Sequence, residues 1–588
     1  MERKSDKSKL PMINVHTHIF TEKNIPPLIA KTFIPWPFYY FLHIGFVFRL
    51  FKCYKWIKDK LKPFWSFQTA VIAFIKTRWL TRHLGKLISL FLTLNALVIL
   101  INWSDFSESW TWYQNMLNFL ENSVFRYILA YNIPTVFQVL LLVVLFFLYP
   151  KVASLLFSLA RKLFSQLKYL PTEETLKFIQ RYITIAEFAK YKSQKGIFDR
   201  LIKMYDPGSK VVVLPMDMEY MDAGRPKQSY REQIQEIFKI KDEKQTNSEH
   251  LIPFVFVDPR RIKDEGKSFF NWELVEDEQG FRVRLLDCFL KDCLEGKNGE
   301  SAYFKGVKLY PALGYYPFDE ALLPLWAYCV QRNLPITTHC IEGTIFYRGD
   351  MKKEWMHHPV FTDNEGKPLQ TKVQSNYELQ LNFTHPLNYL VLLEDHYLAK
   401  VVGSASEPVK QLFRYDAQNK SVGLSLNRLK INLAHYGGRK EWKRYIEADR
   451  KDLSSELMEN PDRGIELFSK QNPTTGKKEL LYSKPAWIWN NDYEWFSIIS
   501  SLMLQYSNVY ADISYVLHNE DVRPLLYQVL HGNEKLAKKI LFGTDFFVVR
   551  NHKSEKELYA ELLESLGEDK MGQISKKNPK EFLGHVEY

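Results

Sequence analysis

The sequence predicts an α/β fold, a (β/α)8 TIM barrel, and two observations carry this prediction. Eight short apolar runs rich in β-branched residues alternate with longer helical patterns. Runs of this kind are typical of buried parallel strands, and eight of them match the strand count of a barrel. Histidines and an aspartate end several of the runs, and barrels carry their active sites at the C-terminal ends of the strands. A single barrel with long insertions also accommodates a chain of 588 residues.

Each strand is predicted from one short run that ends near a polar residue. In chain order the runs are Ile13–His18, Val211–Pro215, Pro253–Val257, Val307–Tyr310, Ile336–His339, Ile431–His435, Val509–Ile513 and Ile540–Asp545. Helical periodicity occupies the intervals, and the predicted helices cover residues 172–205, 227–240, 319–333, 494–506 and 555–566. The alternation of strand and helix is what parallel pairing requires.

The first connection departs from a compact barrel. Roughly 190 residues separate the first two predicted strands, whereas a connection within a βα unit needs far fewer. We therefore divide the chain into a first barrel strand at 1–22, a membrane-associated insertion at 23–170 and the remainder of the barrel at 171–588. Two further loop insertions are expected, at 341–425 after the fifth strand and at 439–500 after the sixth.

Two uncharged runs within the insertion predict transmembrane helices. Leu87–Ser104 and Tyr127–Pro150 are each about long enough to cross a hydrocarbon core of ~30 Å at ~1.5 Å per residue. The predicted spans are about 87–104 and 130–150, and a pair of buried core helices is the alternative. Four aromatic residues cluster at one end of the first run, as interfacial aromatics do; they are Trp103, Trp110, Trp112 and Tyr113.

The charge around the two runs predicts an orientation. Residues 49–86 carry ten Lys or Arg against one acid, Asp59, whereas the 105–126 connection carries three acids against Arg126. Under the positive-inside rule, both outer flanks are cytoplasmic and the short connection lies outside. We expect a multi-pass protein of the cell membrane with two spans, in which the barrel faces the cytoplasm.

Composition favours a membrane surface over nucleic acid as the partner of the basic residues. The net charge is +12, and the basic residues concentrate beside the apolar runs, where anionic lipid headgroups account for them. The five cysteines contain no CxxC pair, which favours a reducing compartment. The polar stretch 1–10 predicts that no signal peptide is cleaved. The aromatic segment Phe33–Leu50 is an interfacial or re-entrant segment, or a lid over the barrel mouth.

Candidate metal ligands end four of the predicted strands. Two histidines alternate along the first strand, and alternate residues share one face, so both imidazoles point into the barrel. Imidazole is a good ligand for Zn²⁺ and similar ions. A buried carboxylate also needs a partner, which a divalent cation supplies. The candidates are His16, His18, His339, His435 and Asp545.

These residues together resemble the amidohydrolase superfamily, and specifically its amidohydrolase-related branch, which includes aminocarboxymuconate-semialdehyde decarboxylase and related metal-dependent hydrolases. The resemblance covers residues 11–20 and, with insertions, about 205–588. The matching segments are His16–His18, Gly306–Pro311 with Gly314–Pro317, Leu334–His339, His435–Gly438, Phe542–Asp545 and Asn578–Gly584. The resemblance implies one divalent metal; its ligands would be His16, His18, His339 and Asp545. Zn²⁺ is the metal most favoured by this nitrogen-rich set, and Mn²⁺ remains open.

The resemblance also implies roles for the surrounding side chains. Asp545 would take a proton from water, and His435 would orient or polarise the substrate and assist proton transfer. Lys308 is either a bridge between two metals, as in binuclear relatives, or a structural or substrate-side residue. Arg260 is a candidate clamp for a substrate carboxylate or a solvated loop residue. Tyr310 is the third substrate-side candidate.

The predicted function is that of a metal-dependent hydrolase, in which activated water attacks a C–N or C–O bond of a small or amphiphilic substrate. Non-oxidative decarboxylation is an alternative that uses the same ligands. A catalytically silent membrane-anchored scaffold is an alternative of another class. The membrane insertion either delivers a lipid-like substrate or only tethers the enzyme. The sequence does not indicate the oligomeric state.

Overall fold

The computed structural model describes residues 11–29 and most of 191–584. Within the second stretch the description omits 192, 244–248, 278–279, 297–302, 372, 374, 449–453, 472–477, 519 and 547–553. Between 30 and 190 it covers only isolated residues. The chain divides into two compact units, Met1–Phe48 with Lys177–Tyr588, and Arg49–Leu176. The first unit contains the barrel.

Eight parallel strands form a closed barrel, which confirms the barrel part of the predicted fold. Numbered β1–β8 in chain order, they are Ile13–Thr17, Lys210–Val213, Leu251–Pro253 continued by Val255–Phe256, Val307–Leu309, Pro335–His339, Lys430–Ala434, Val509–Asp512 and Ile540–Leu541. Each strand pairs in parallel with the next one along the chain. The barrel closes between β8 and β1, where Thr17 bridges Phe546 and the Val15 amide donates to the Phe542 carbonyl at 2.9 Å.

The strands end or begin one to four residues from their predicted bounds, and two of these differences have a clear local reason. The strand β3 begins at Leu251, two residues before its predicted start at Pro253. It pairs first with β2 and, beyond Phe254, with β4. The ladder of β8 ends at Leu541 rather than at Asp545, which adopts a left-handed backbone with φ of 55°. Short polar residues tolerate that conformation better than branched ones.

Helices surround the barrel in the described residues. Numbered α1–α17 in chain order, they are Gln194–Ile202, Tyr230–Glu243, Pro259–Glu265, Phe289–Leu294, Leu323–Arg332, Asn376–Thr384, Leu390–Leu393, Asp395–Gly403, Glu407–Leu412, Arg439–Glu447, Ser454–Glu459, Lys484–Asn490, Trp495–Gln505, Arg523–Gly532, Glu534–Ala537, Glu555–Gly572 and Asn578–Leu583. Side-chain caps fix several starts. Ser193 caps α1, Asp258 caps α3 with Pro259 at its first position, and Ser554 forms a capping box at α16.

The long loops contain secondary structure of their own. Residues 341–425 contain an antiparallel hairpin, His357–Thr362 with Pro368–Gln370, and the helices α6–α9. Residues 439–500 contain α10–α12, the start of α13 and a second hairpin, Ser469–Gln471 with Lys478–Leu480. A third hairpin, Trp272–Asp277 with Gly280–Leu285, follows β3 and was not predicted.

The closing helix α17 seals the end of the barrel that faces away from the candidate metal ligands. The Asn578 amide donates to the carbonyls of Ala537 and Ile540, both at 2.7 Å, and so ties the helix to the start of β8. Phe582 and Leu583 join the buried core formed by Ile13, Val15, Val212, Leu214 and other strand residues. Burial of apolar side chains on this scale is the main source of barrel stability.

The membrane prediction concerns residues that the structure does not describe. Among the described residues, none of the helices has the length and apolar character needed to cross a bilayer. The predicted spans at 87–104 and 130–150, and the aromatic segment 33–50, lie outside the described residues apart from isolated positions. The two spans and their orientation therefore stay predictions.

Candidate metal centre

Adjacent strands β1 and β8 bring three of the predicted ligands together. The His18 Nε2 and His16 Nε2 atoms lie 3.2 and 3.7 Å from Asp545 Oδ1. The imidazole rings of the two histidines are 5.2 Å apart, and all three residues are buried. A register shift between Asn14 and Thr17 in β1 accompanies this arrangement, as bulges often do beside active sites.

Close approach of the two strands depends on Gly543. A Cβ atom at this position would lie 2.8 Å from the His16 Cβ, a distance that real side chains do not adopt. The Asp545 amide then donates to the His16 carbonyl at 2.8 Å, which fixes the carboxylate against the imidazoles. The glycine in the Phe542–Asp545 segment is thus explained by packing against β1.

Hydrogen bonds define which nitrogen of each histidine carries a proton. The His18 Nδ1 lies 2.7 Å from the Leu214 carbonyl oxygen, which only accepts, so Nδ1 donates. The His16 Nδ1 likewise lies 3.0 Å from Asp512 Oδ2. In the neutral rings, both Nε2 atoms therefore present lone pairs. The His16 Nε2 is fully buried and has no hydrogen-bond partner among the described residues.

The donor set fits a divalent cation. Two imidazole lone pairs and a carboxylate oxygen converge, and in the absence of a positive charge between them these groups repel one another. Ligand atoms that bind a tetrahedral Zn²⁺ at about 2.0–2.1 Å lie about 3.3 Å from one another. The separations of 3.2 and 3.7 Å are close to that value. His16, His18 and Asp545 thus form a chemically reasonable cation site.

The fourth predicted ligand, His339, lies beside this group rather than within it. Its Nδ1 is 3.1 Å from His435 Nε2, and its ring stacks on Tyr310 with centroids 4.0 Å apart. The His435 ring in turn lies 4.7 Å from that of His16. The structure therefore brings three of the four predicted ligands within 4.8 Å of one another, and places His339 next to the predicted catalytic histidine.

Asp512, at the end of β7, is a central residue of the site that the sequence reasoning missed. Its Oδ2 accepts from His16 Nδ1 at 3.0 Å and from Asn432 Nδ2 at 2.7 Å. Its Oδ1 accepts from the His435 amide at 3.1 Å, the Ser514 amide at 3.0 Å and the Ser514 hydroxyl. The signal was present, because Asp512 is the penultimate residue of the predicted strand Val509–Ile513, much as Asp545 ends the eighth run.

A second group of potential ligand atoms consists of His16, His435 and Asp512. Both oxygens of Asp512 already accept hydrogen bonds from donors that include two backbone amides. Backbone donors cannot rotate away to admit a cation. This second group is therefore better described as a hydrogen-bonded support for the first than as another metal site.

Burial and neighbouring charges favour the protonation states that metal binding needs. Burial lowers the pKa of His16, although Asp512 acts in the opposite direction. Burial, together with His16, lowers the pKa of His435 to about 3. Burial alone would raise the pKa of Asp545, but the contact with His18 and the nearby His435 and His16 outweigh it and lower this pKa to about 2.

The substrate-side candidates have different surroundings. The Lys308 ammonium is completely buried, donates no hydrogen bond among the described residues and lies 5.8 Å from the Tyr310 ring. Burial lowers its pKa to about 8, against the opposing effect of Asp512 and Asp545. Arg260 is occupied internally, since its guanidinium binds both oxygens of Asp258 and the Tyr220 carbonyl. Lys308 is thus the better candidate for an anionic group.

Unusual backbone conformations cluster at this end of the barrel. Four consecutive residues after β6, His435 to Gly438, have φ of 67°, 44°, 78° and 87°. The Tyr436 hydroxyl is 2.8 Å from Ser500 Oγ, and the Trp442 indole donates to the Tyr436 carbonyl at 2.8 Å. Left-handed conformations of non-glycine residues persist only where the surroundings hold them, and they are frequent at functional sites.

Comparisons with known proteins give low similarities to solved structures. No protein-family model matches the chain, and no curated protein matches it. A 2,6-dihydroxybenzoate decarboxylase from Rhizobium is 13% identical, with 66% of this chain and 87% of that chain covered and a TM-score of 0.29. An amidohydrolase from Mycobacterium avium subsp. paratuberculosis K-10 is 12% identical, with coverages of 68% and 76% and a TM-score of 0.30.

A third structure is a 5-carboxyvanillate decarboxylase from Novosphingobium aromaticivorans DSM 12444 in complex with manganese. It is 12% identical, with 66% of this chain and 79% of that chain covered and a TM-score of 0.29. These three structural neighbours are thus two decarboxylases and an amidohydrolase. Similarities at this level do not establish an activity, so the assignment depends on the residues of this chain.

Proposed function

We propose that this protein is a metal-dependent enzyme of the amidohydrolase type that hydrolyses a C–N or C–O bond in a small or amphiphilic substrate. The observation that carries the proposal is the convergence of His16 Nε2, His18 Nε2 and Asp545 Oδ1 within a buried site. A scaffold protein gains nothing from holding two unprotonated nitrogens against a carboxylate, because their mutual repulsion costs stability.

His16, His18 and Asp545 would hold the metal, and His339 would join them if its ring turned away from His435. A divalent cation in this position would lower the pKa of a bound water molecule to near neutrality and would polarise a substrate oxygen. Zn²⁺ suits the nitrogen-rich donors and Mn²⁺ the carboxylate. The remaining chemistry belongs to the side chains.

Asp545 is placed to accept the proton of the attacking water. Its low pKa keeps it ionised at neutral pH, so its second oxygen is available as a proton acceptor. The proton that Asp545 takes from water then passes to the leaving group. His435 is neutral and fixed by the left-handed turn, and we assign it to orienting the substrate during this transfer. Burial of the site excludes bulk water from both steps.

Decarboxylation is a second candidate, favoured by Lys308. A buried ammonium without a hydrogen-bond partner among the described residues suits an anionic substrate group such as a carboxylate. The tyrosine ring of Tyr310 lies beside it and offers an apolar face. Decarboxylation would use the same metal ligands and a proton delivered to carbon instead of water attack. The products separate the two reactions.

Metal binding is tested first, with a matched pair of histidines. His18 and His250 both have Nδ1 against a backbone carbonyl, of Leu214 and Ser209 respectively, but only His18 faces Asp545. We expect the parent protein, stripped and reloaded with Zn²⁺ or Mn²⁺, to bind one ion per chain. We expect His18→Gln to bind it at least 10-fold more weakly, and His250→Gln to bind it like the parent.

Activity is then measured on the reloaded protein with esters, amides and lactones, and separately with carboxylic acids through CO2 release. A folded parent that binds no divalent ion would exclude the enzyme and favour the scaffold. CO2 release without hydrolysis would favour the decarboxylase. Lys308→Met should raise KM for anionic substrates much more than for neutral ones.

Membrane attachment and a lipid-like substrate form the remaining part of the proposal. The uncharged runs and their flanking charges support two spans at about 87–104 and 130–150, with the barrel on the cytoplasmic side. A chain that lacks residues 84–150 should leave the membrane fraction. Its full retained activity on a membrane-derived substrate would count against lipid delivery by the insertion.

A further inference from the structure

The Asp512 cluster, formed by Asp512, Ser514 and Asn432, contacts the candidate metal site without belonging to its three-ligand group. All three residues are completely buried, Asn432 in the middle of β6 and Asp512 and Ser514 at the end of β7. The cluster contacts both functional halves of the site, since it binds the ring of His16 and the backbone of His435.

The direction of every hydrogen bond in this cluster follows from its donors. The amides of His435 and Ser514 donate to Asp512 Oδ1 at 3.1 and 3.0 Å, and the Ser514 hydroxyl donates to the same oxygen. The hydroxyl proton is thereby used, so Ser514 Oγ only accepts, from His435 Nδ1 at 2.9 Å and from His16 Nδ1 at 3.2 Å. The Ser514 carbonyl, 3.2 Å from the same nitrogen, also only accepts.

The consequence for the imidazoles is a fixed tautomer at each ring. His16 donates from Nδ1 to Asp512 Oδ2 at 3.0 Å, which leaves its Nε2 lone pair facing Asp545. His435 donates from Nδ1 to Ser514, so its Nε2 accepts from His339 Nδ1 at 3.1 Å. Outer partners of this kind raise the basicity of a ligand histidine and orient its ring.

We propose that Asp512 is a positioning residue that sets the tautomer of His16 for metal binding and, through Ser514, that of His435. The inference rests on the proposed metal site but concerns groups of this chain alone. Asp512 acts through its charge and through the geometry of its two oxygens, and it is not itself a ligand.

The variant Asp512→Asn tests this with a defined geometric expectation. Two backbone amides donate to the Oδ1 position and cannot rotate, so the new carbonyl oxygen must take that place. The new amide group then faces His16 Nδ1 and donates to it, and the Asn432 side chain, which donates to Oδ2 in the parent, turns its own oxygen towards the new amide. Ser514 Oγ, 3.2 Å from His16 Nδ1, competes only weakly for a proton on that nitrogen because it already accepts from His435. We therefore expect the His16 proton to move to Nε2, so that the lone pair that faces Asp545 is lost.

The first measurement is the dissociation constant for Zn²⁺ by competition with a chelator, on the full chain. We expect Asp512→Asn to bind Zn²⁺ about 10–100-fold more weakly than the parent. The matched control is Asp258→Asn, which alters another completely buried aspartate at the end of a barrel strand. Asp258 binds Arg260, and its replacement should leave the Zn²⁺ affinity at the parental value. Parental affinity in Asp512→Asn overturns the inference while leaving the proposed function intact.

The second measurement reads the tautomer directly in metal-free protein that contains ¹⁵N-histidine, with the His16 signals assigned from His16→Gln. We expect the proton on Nδ1 in the parent and on Nε2 in Asp512→Asn. A proton on Nε2 in the parent overturns the inference, even if Asp512→Asn fails to fold or the parent binds no metal. Two Zn²⁺ ions per chain in the parent, with one lost in Asp512→Asn, would make Asp512 a ligand and also overturn it.

Discussion

Two buried histidines, His16 in the barrel and His358 in the strand-five insertion, differ in how their nitrogens are used. His358 donates from Nε2 to Asn388 Oδ1 at 3.0 Å, and its Nδ1 accepts from the amides of Val360 and Phe361 at 3.2 and 2.9 Å. His16 has a partner at Nδ1, but its buried Nε2 has none among the described residues.

The contrast shows how to separate a structural histidine from a functional one. Burial lowers the pKa of both rings, to about 3 for His358, so an altered pKa does not distinguish them. The distinguishing feature is an unused lone pair that faces a carboxylate. Buried polar atoms are almost always satisfied, so an exception requires a reason. We infer that the reason at His16 is a cation, and that the His358 network serves only folding.

The largest expected effect is on activity, at Asp545, the carboxylate that faces the unused lone pair of His16. Asp545→Asn removes the proton acceptor and one ligand oxygen, and we expect kcat of the metal-reloaded protein to fall by about 10³-fold or more. The measurement is steady-state kinetics together with metal analysis. In the metal-free state, the free energy of unfolding should fall by far less in Asp545→Asn than in His358→Leu. Activity within tenfold of the parent would contradict the role of Asp545.

The next effect is on stability, in the fully satisfied network. His358→Leu leaves the amides of Val360 and Phe361 and the Asn388 side chain without their hydrogen-bond partner. Each buried unsatisfied group costs about 1–3 kcal/mol of stability. We expect the free energy of unfolding in urea to fall by about 3 kcal/mol, while Zn²⁺ affinity is unchanged. A loss of Zn²⁺ binding in a folded His358→Leu protein would remove the distinction between the two histidines.

The sequence predicts the barrel and most of the proposed metal ligands, but it does not predict the side-chain contacts around them. The barrel strands follow from their apolar runs, and His16, His18 and Asp545 meet because they end neighbouring strands. The ring orientation of His339 depends on contacts with Tyr310 and His435, which periodicity does not encode. Ser514, just after β7, and Asn432, within β6, resemble ordinary polar residues of a barrel. Their importance arises only from the carboxylate between them.

The smallest expected effect is a difference in acid sensitivity. The folded pKa of His358 is lowered to about 3 by burial, so below its ordinary pKa of 6.5 only the unfolded chain takes up a proton there. Stability is therefore lost as the pH falls from about 6.5 towards 3, by at most about 1.4 kcal/mol per pH unit for each such histidine. The stability gap between the parent and His358→Leu should narrow over this range.

This dependence is checked by urea unfolding of the two proteins at pH 7, 6, 5 and 4, with unfolding of His531→Gln as the control. His531 is exposed, so its replacement should leave the pH profile of the parent unchanged. A gap between the parent and His358→Leu that stays constant or widens towards acid would mean that the folded ring takes up a proton. The network at Val360 and Phe361 would then not require a neutral histidine.

The closure of the barrel between its first and last strands has a consequence for biosynthesis. His16 and Asp545 are neighbours in space but are joined only when β8 pairs with β1. A nascent chain on the ribosome that has finished seven strands still lacks the carboxylate, so the proposed site stays incomplete until residue 545 has been made. A premature stop before residue 545 would yield a polypeptide with most of the scaffold and no complete site. The proposed metal would therefore meet its full set of ligands only after the last strand has joined the first.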